Sequence, residues 1–139
     1  MVGRFVGDVS CSDAWRTLAE TEAAVLIDVR TRAEWSYVGL PDLSSVGRPV
    51  VLVEWQHFPG GERNAAFVDE VRAKGVAPDQ PVYLLCRSGV RSTAAAEVLA
   101  AEGYTAYNIA DGFEGHPDAA GHRGARNGWK AAGLPWRQT

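Results

Sequence analysis

Four runs of strand length, AAVLIDV at 23–29, PVVLVEW at 49–55, VYLLC at 82–86 and TAYNI at 105–109, are rich in apolar and β-branched residues and are separated by stretches with helical spacing. The first three are nearly continuous in their hydrophobicity, the pattern of strands buried on both faces in a parallel sheet. Between them, Ser10 or Ser12 is placed to cap a helix over 13–20 that carries Trp15, Leu18 and Ala19 on one stripe. TRAEW at 31–35 restarts a short helix, and Gly39, Pro41 and Gly47 mark a loop. PGGERN at 59–64 breaks the chain, Asn64 is placed to cap the next helix with Phe67, Val68 and Val71 on its inner face, and Gly75 stops it. The Ala-rich TAAAEVLAAEG at 93–103 is a further helix. A short, partly apolar FVGDV opens the chain at 5–9, PVVLVEW reads as a central strand, and a short helix is expected near GWKAAG at 128–133. Strict alternation of this kind predicts an α/β fold: about five strands in a mostly parallel sheet, with helices on both faces.

The 139 residues argue for a single domain over 1–139 with an extended, glycine-rich surface loop at about 111–128. With 14 basic against 17 acidic side chains the net charge is −3, so there is no basic field to attract nucleic acid or an anionic membrane surface. No apolar run reaches the roughly 20 residues of a membrane span, and the first 15 residues lack the pattern of a signal peptide, so the expected location is cytoplasmic. Cys11 and Cys86 are too far apart for a CxxC pair. His116 and His122 lie six residues apart in the glycine-rich loop, with His57 distant, so neither a metal nor any other cofactor is expected. The five Trp read as core and loop anchors, and Cys11 as an inert thiol.

The chemistry points to Cys86. In open α/β sheets ligands bind beyond the carboxyl ends of the strands, and Cys86 closes VYLLC just where CRSGVRS leads into a helix. Its sulfur is expected to face the unpaired N–H groups of that helix, with Gly89 supplying a turn at positive φ and Arg87 and Arg91 adding formal charge. These surroundings favour a thiolate, the nucleophilic form of cysteine. A buried, inert Cys is the bland alternative, and it has no use for two arginines and a glycine turn.

With LIDVRTRAEW at 26–35, CRSGVRS at 86–92, the Ala-rich helix with Gly103 and Tyr104, and NGWKAAGLPW at 127–136, the sequence resembles the single-domain rhodaneses, which are sulfurtransferases. The resemblance implies a rhodanese-like fold and a reaction in which Cys86 takes a sulfur atom from a small donor such as thiosulfate or a persulfide. Cyanide, a small thiol or a protein acceptor would then remove it. It makes Cys86 the nucleophile and the loop of Arg87, Ser88, Gly89, Val90, Arg91 and Ser92 the binding cradle, with either arginine a candidate for a sulfonate. Asp28, Arg30 and Glu34 would be supports that tie loops together.

Phosphatases and arsenate reductases use a related loop in which five residues separate Cys from an Arg. Here Ser92 stands at that position and Arg91 comes one residue early, so the narrower loop suits a single sulfur atom. The chain departs from the rhodanese pattern where Val38-Gly39-Leu40-Pro41-Asp42-Leu43 replaces a stretch that usually carries a His. It departs again in the 111–128 loop, whose His116, His122, Arg123 and Arg126 are candidates for lining a pocket. A binding or sulfur-carrier module that recognises a partner protein without turnover is the alternative from a different class, because fold alone does not decide function.

Overall fold

The computed structural model describes residues 3–138. In chain order its elements are β1 (Arg4–Val9), α1 (Cys11–Glu20), β2 (Val25–Asp28), α2 (Arg32–Tyr37), β3 (Leu40–Pro41), a 3-10 turn at Ser44–Val46, β4 (Val51–Leu52), α3 (Phe67–Ala73), β5 (Val82–Leu85), α4 (Val90–Ala101), β6 (Thr105–Ile109) and β7 (Trp136–Arg137). Five strands form one sheet in the order β1-β6-β5-β2-β4, every neighbouring pair parallel. No helix among the described residues is long and apolar enough to cross a membrane.

Alternation along the central strands divides the core into two layers. Ile27 of β2 and Val29 just after it, with Val82 and Leu84 of β5 and Cys86 just after it, pack with Phe67 and Val71 of α3 and Ala95, Ala96 and Leu99 of α4. Leu26, Tyr83 and Leu85 point the other way, to Ala14 and Leu18 of α1 and to Phe113 and Trp129. Helices therefore cover both faces, as the alternating sequence predicts.

Local signals explain several boundaries. Ser10 caps α1 by accepting the Asp13 N–H at 3.0 Å, and Thr31 with Glu34 forms a reciprocal capping box on α2. Gly75 at φ +86 follows α3 and ends it. Asn64 acts two residues upstream of the cap residue Ala66, its Oδ1 accepting from Ala66 N–H at 3.0 Å while Nδ2 donates to Glu54 O and Glu70 Oε2.

Elsewhere the structure corrects the sequence reading. PVVLVEW is an edge strand of only Val51–Leu52, whose outer side has no strand neighbour among the described residues, and Val50, Val51 and Leu52 are accordingly half-buried. Beyond Leu52 the chain still bonds to the end of β2, Val53 N–H to Asp28 O at 3.2 Å and Trp55 N–H to Val29 O at 3.1 Å, without extending the ladder. The residues around Gly39 and Pro41 contain β3, which pairs antiparallel with β7 in a small second sheet. GWKAAG forms turns instead of a helix: Ala132 N–H reaches Gly128 O at 2.9 Å, but Gly133 N–H bonds to Lys130 O at 3.1 Å and Leu134 N–H to Trp129 O at 3.3 Å, so the i→i−4 ladder stops after one bond. The 111–128 segment is only partly a surface loop: Gly112, Phe113 and Gly115 are buried.

Candidate active site

Cys86 follows the last residue of β5, and Gly89, at φ +109, is the N-cap of α4. The left-handed turn at Gly89 brings the start of α4 back over the sulfur. Cys86 Sγ receives the Gly89 N–H at 3.1 Å and lies 3.2 Å from the Ser92 hydroxyl. The sequence predicts a cup of several amides; among the described residues a single backbone N–H, that of Gly89, is hydrogen-bonded to the sulfur. The side chain is 1% exposed, more enclosed than a reactive thiol at a strand end is expected to be.

The backbone of the loop is fixed from outside. Cys86 O accepts from Phe113 N–H at 2.8 Å, and Arg87 O accepts from Glu114 and Gly115 N–H at 3.1 and 3.0 Å. A trans peptide points its N–H opposite to its C=O, so the Arg87 and Ser88 amides face away from the 113–115 segment. Among the described residues, the N–H groups of Arg87, Ser88, Val90, Arg91 and Ser92 have no protein acceptor. They are free donors for an anion at the helix start. Gly112 makes the contact possible: at φ +67, a Cβ there would meet Cys86 O at 2.4 Å.

The two loop arginines differ. Arg91 is committed to Glu34 in a bidentate pair, Nη1 to Oε1 at 2.7 Å and Nη2 to Oε2 at 2.9 Å. Burial by itself disfavours the Glu34 carboxylate, but the Arg91 hydrogen bonds and charge outweigh it and hold the carboxyl below its usual range. Donating to the Glu34 carboxylate in turn tightens Arg91's hold on its proton. Arg87 is exposed and has no ion-pair partner among the described residues. Ser88 is half-buried and Val90 is 79% exposed.

Asp28 and Arg30 lie beside this end of the sheet, fully buried, with Arg30 Nε to Asp28 Oδ1 at 3.0 Å and Nη2 to Oδ2 at 2.7 Å. Arg30 also donates to Gly39 O at 2.8 Å and stacks 4.2 Å over the Phe113 ring, tying the end of β2 to the start of β3 and to the segment that holds the Cys86 loop. Cys11 is remote in role: burial first, and the negative Asp111 second, push its thiol up to about 12.

A cleft of about 540 Å³ opens alongside, walled by Glu34 and Val38, by Gln56, His57, Phe58, Pro59 and Gly61, and by Arg87, Arg91 and Glu114. Cys86 is not itself part of the wall. From the long loop only Glu114 takes part, whereas His116, His122, Arg123 and Arg126 do not. Arg123 instead donates to Gly115 O and Arg126 to Pro117 O, so both serve the loop's own shape. The 56–61 wall escapes a reading by motif, since its only sequence signal is a break between apolar runs. Asn108 and Asp8, which extend the contacts of Ser92, were likewise hidden; the parity of Asn108 within TAYNI is the one cue, placing it on the same face as Ala106 and thus toward α4.

Comparison with known proteins fits this architecture. The crystal structure of Rv0390 from M. tuberculosis superposes with a TM-score of 0.90 at 53% identity, covering 98% of this chain and 100% of that one. The protein RC0915 of Rickettsia conorii is 35% identical over 133 residues, 95% of this chain and 98% of its own length. The chloroplastic rhodanese-like domain-containing protein 4 of Arabidopsis thaliana is 29% identical over 132 residues, 94% of this chain but 25% of that protein. The model of the STR4 middle domain matches residues 6–139. The chain belongs to the STR4 middle-domain family, which is rhodanese-like.

Proposed function

We propose that the protein is a sulfurtransferase that carries sulfane sulfur as a persulfide on Cys86. The observation that carries this reading is the position of the sulfur at the start of α4, hydrogen-bonded by Gly89 N–H and in contact with Ser92. The Cys86 thiolate attacks the outer sulfur of thiosulfate; a new S–S bond forms, and the old one breaks with its electron pair leaving on sulfite. Cyanide or a thiolate then attacks the outer sulfur of the persulfide and restores the Cys86 thiolate. The free N–H groups of the loop suit the negative terminal sulfur, and enclosure of Cys86 keeps water from it.

Arg87 is the better candidate for the sulfonate of the donor, since Arg91 is neutralised by Glu34. Commitment of Arg91 also weighs against phosphoryl or arsenate chemistry, which needs an arginine free to grip a tetrahedral oxyanion. The near-complete burial of Cys86 favours a second reading, a carrier that passes sulfur to a partner protein without fast turnover. Incubation with thiosulfate is expected to add the mass of one sulfur atom to Cys86 and release sulfite, and Cys86→Ser to abolish both. Absence of the adduct in the wild type rejects the proposal; an adduct that thiols or cyanide discharge only slowly selects the carrier.

A further inference from the structure

Behind the Cys86 sulfur, Ser92 opens a chain of polar side chains whose further members, Asn108 and Asp8, the sulfur-transfer reading leaves unused. Ser92 Oγ, fully buried on α4, hydrogen-bonds to Oδ1 of Asn108, and Asn108 Nδ2 donates to Asp8 Oδ1 at 2.9 Å. The chain depends on an irregularity in β1. Its register against β6 slips between Phe5 and Gly7, so that Asp8 becomes the partner of Asn108. Phe5 and Val9, which strict alternation would put on one face, accordingly pack against opposite core layers.

Proton counting gives the chain a direction. A carboxylate only accepts, so Asp8 fixes the amide with Nδ2 toward itself and Oδ1 toward Ser92. The Ser92 hydroxyl has one proton and two neighbours able to accept it, Asn108 Oδ1 and Cys86 Sγ. With the proton on the side of Asn108, Ser92 offers the sulfur only a lone pair, which suits S–H and not S⁻. Turning the proton to the sulfur strands Asn108 Oδ1, which is 97% enclosed with its residue, unless the amide flips, and Asp8 opposes the flip.

We propose that Asn108, oriented by Asp8, is a positioning residue for Cys86: by claiming the single Ser92 proton it biases the sulfur toward the thiol, and release of the amide converts Ser92 into a donor to the thiolate. The inference rests on Cys86 being the reacting group. The other charged groups around this end of the sheet are Arg87 of the loop, Arg91 of α4, Glu34 of α2, Asp28 of β2 and Arg30 after it, and Asp111 and Glu114 after β6, and none of them is hydrogen-bonded into the chain.

The test is the thiolate absorbance near 240 nm followed against pH in the full chain, for wild type, Asp8→Asn, Ser92→Ala and the double variant, each referenced to Cys86→Ser in the same background. Cys11, pushed up to about 12, stays outside the window. Asp8→Asn, on an exposed edge-strand position, is expected to lower the ionisation midpoint of Cys86 by about one pH unit, a tenfold gain in thiolate at a fixed pH below the midpoint. In the Ser92→Ala background the shift is expected to vanish. An equal shift in both backgrounds, the signature of a bare charge effect, overturns the proposal, and so does no shift with Ser92 intact. The titration reads ionisation without sulfur transfer, so its failure is distinct from a failure to form the persulfide.

Discussion

Breaking the Glu34–Arg91 pair should cost the fold measurably and in a pH-dependent way. The two hydrogen bonds, at 2.7 and 2.9 Å, are charge-assisted and bidentate, and the side chains are 20% and 22% exposed. That places the pair between an exposed one, worth about 0.2–1 kcal/mol, and a fully buried one, whose breaking costs about 3–5 kcal/mol. We expect a coupling of about 2 kcal/mol in the cycle of Glu34→Gln, Arg91→Ala and the double variant. Glu34→Gln is the informative single change, because its amide oxygen still accepts from the Thr31 N–H and so preserves much of the α2 cap. With an m-value of about 2 kcal/mol per molar urea, the midpoint of urea unfolding should fall by about 1 M. The sign with pH follows from the lowered Glu34 carboxyl: its contribution is complete above the unfolded value, about 4.3, and is lost as pH falls through the still lower folded value. The gap between wild type and Glu34→Gln should therefore close in acid. A coupling below about 0.5 kcal/mol at pH 7, or a gap that does not narrow as the pH is lowered into the acid range, refutes the reasoning.

Gly112→Ala sets a Cβ at 2.4 Å from Cys86 O on a residue at φ +67, so it should destabilise by at least about 2 kcal/mol and reduce persulfide formation, read by urea unfolding and by mass. Arg87→Ala should raise KM for thiosulfate several-fold while sparing an uncharged donor, with the difference shrinking as salt is added; equal losses for both donors would contradict the assignment. Cys11, buried and pushed up to about 12, should resist iodoacetamide at pH 8 in the native chain and react only on unfolding, as peptide mapping would show.

What the sequence made readable was whatever local chemistry determines. Continuous apolar runs at 25–28 and 82–85 are buried central strands, and Thr31 with Glu34 is a capping signal visible in one turn of chain. The Cys86 loop is also local, since Gly89 follows the cysteine by three residues and its positive φ has a single natural occupant. The misreadings arise where the outcome depends on distant partners. Nothing inside PVVLVEW says that a strand will lie on only one side of it. The roles of Arg87 and Arg91 were equally undecidable, because Glu34, 57 residues away, chooses between them.

The three hydrogen bonds from residues 113–115 to the carbonyls of Cys86 and Arg87 bear on how this scaffold can be retooled. Insertion of one residue, the change that would give the loop the span of a tetrahedral-oxyanion site, moves those carbonyls out of line with their donors and brings the new backbone up against Gly112. Altered specificity would have to be engineered in two segments at once. Swapping the cysteine loop alone from another protein should give a chain that folds poorly before its catalysis can be judged.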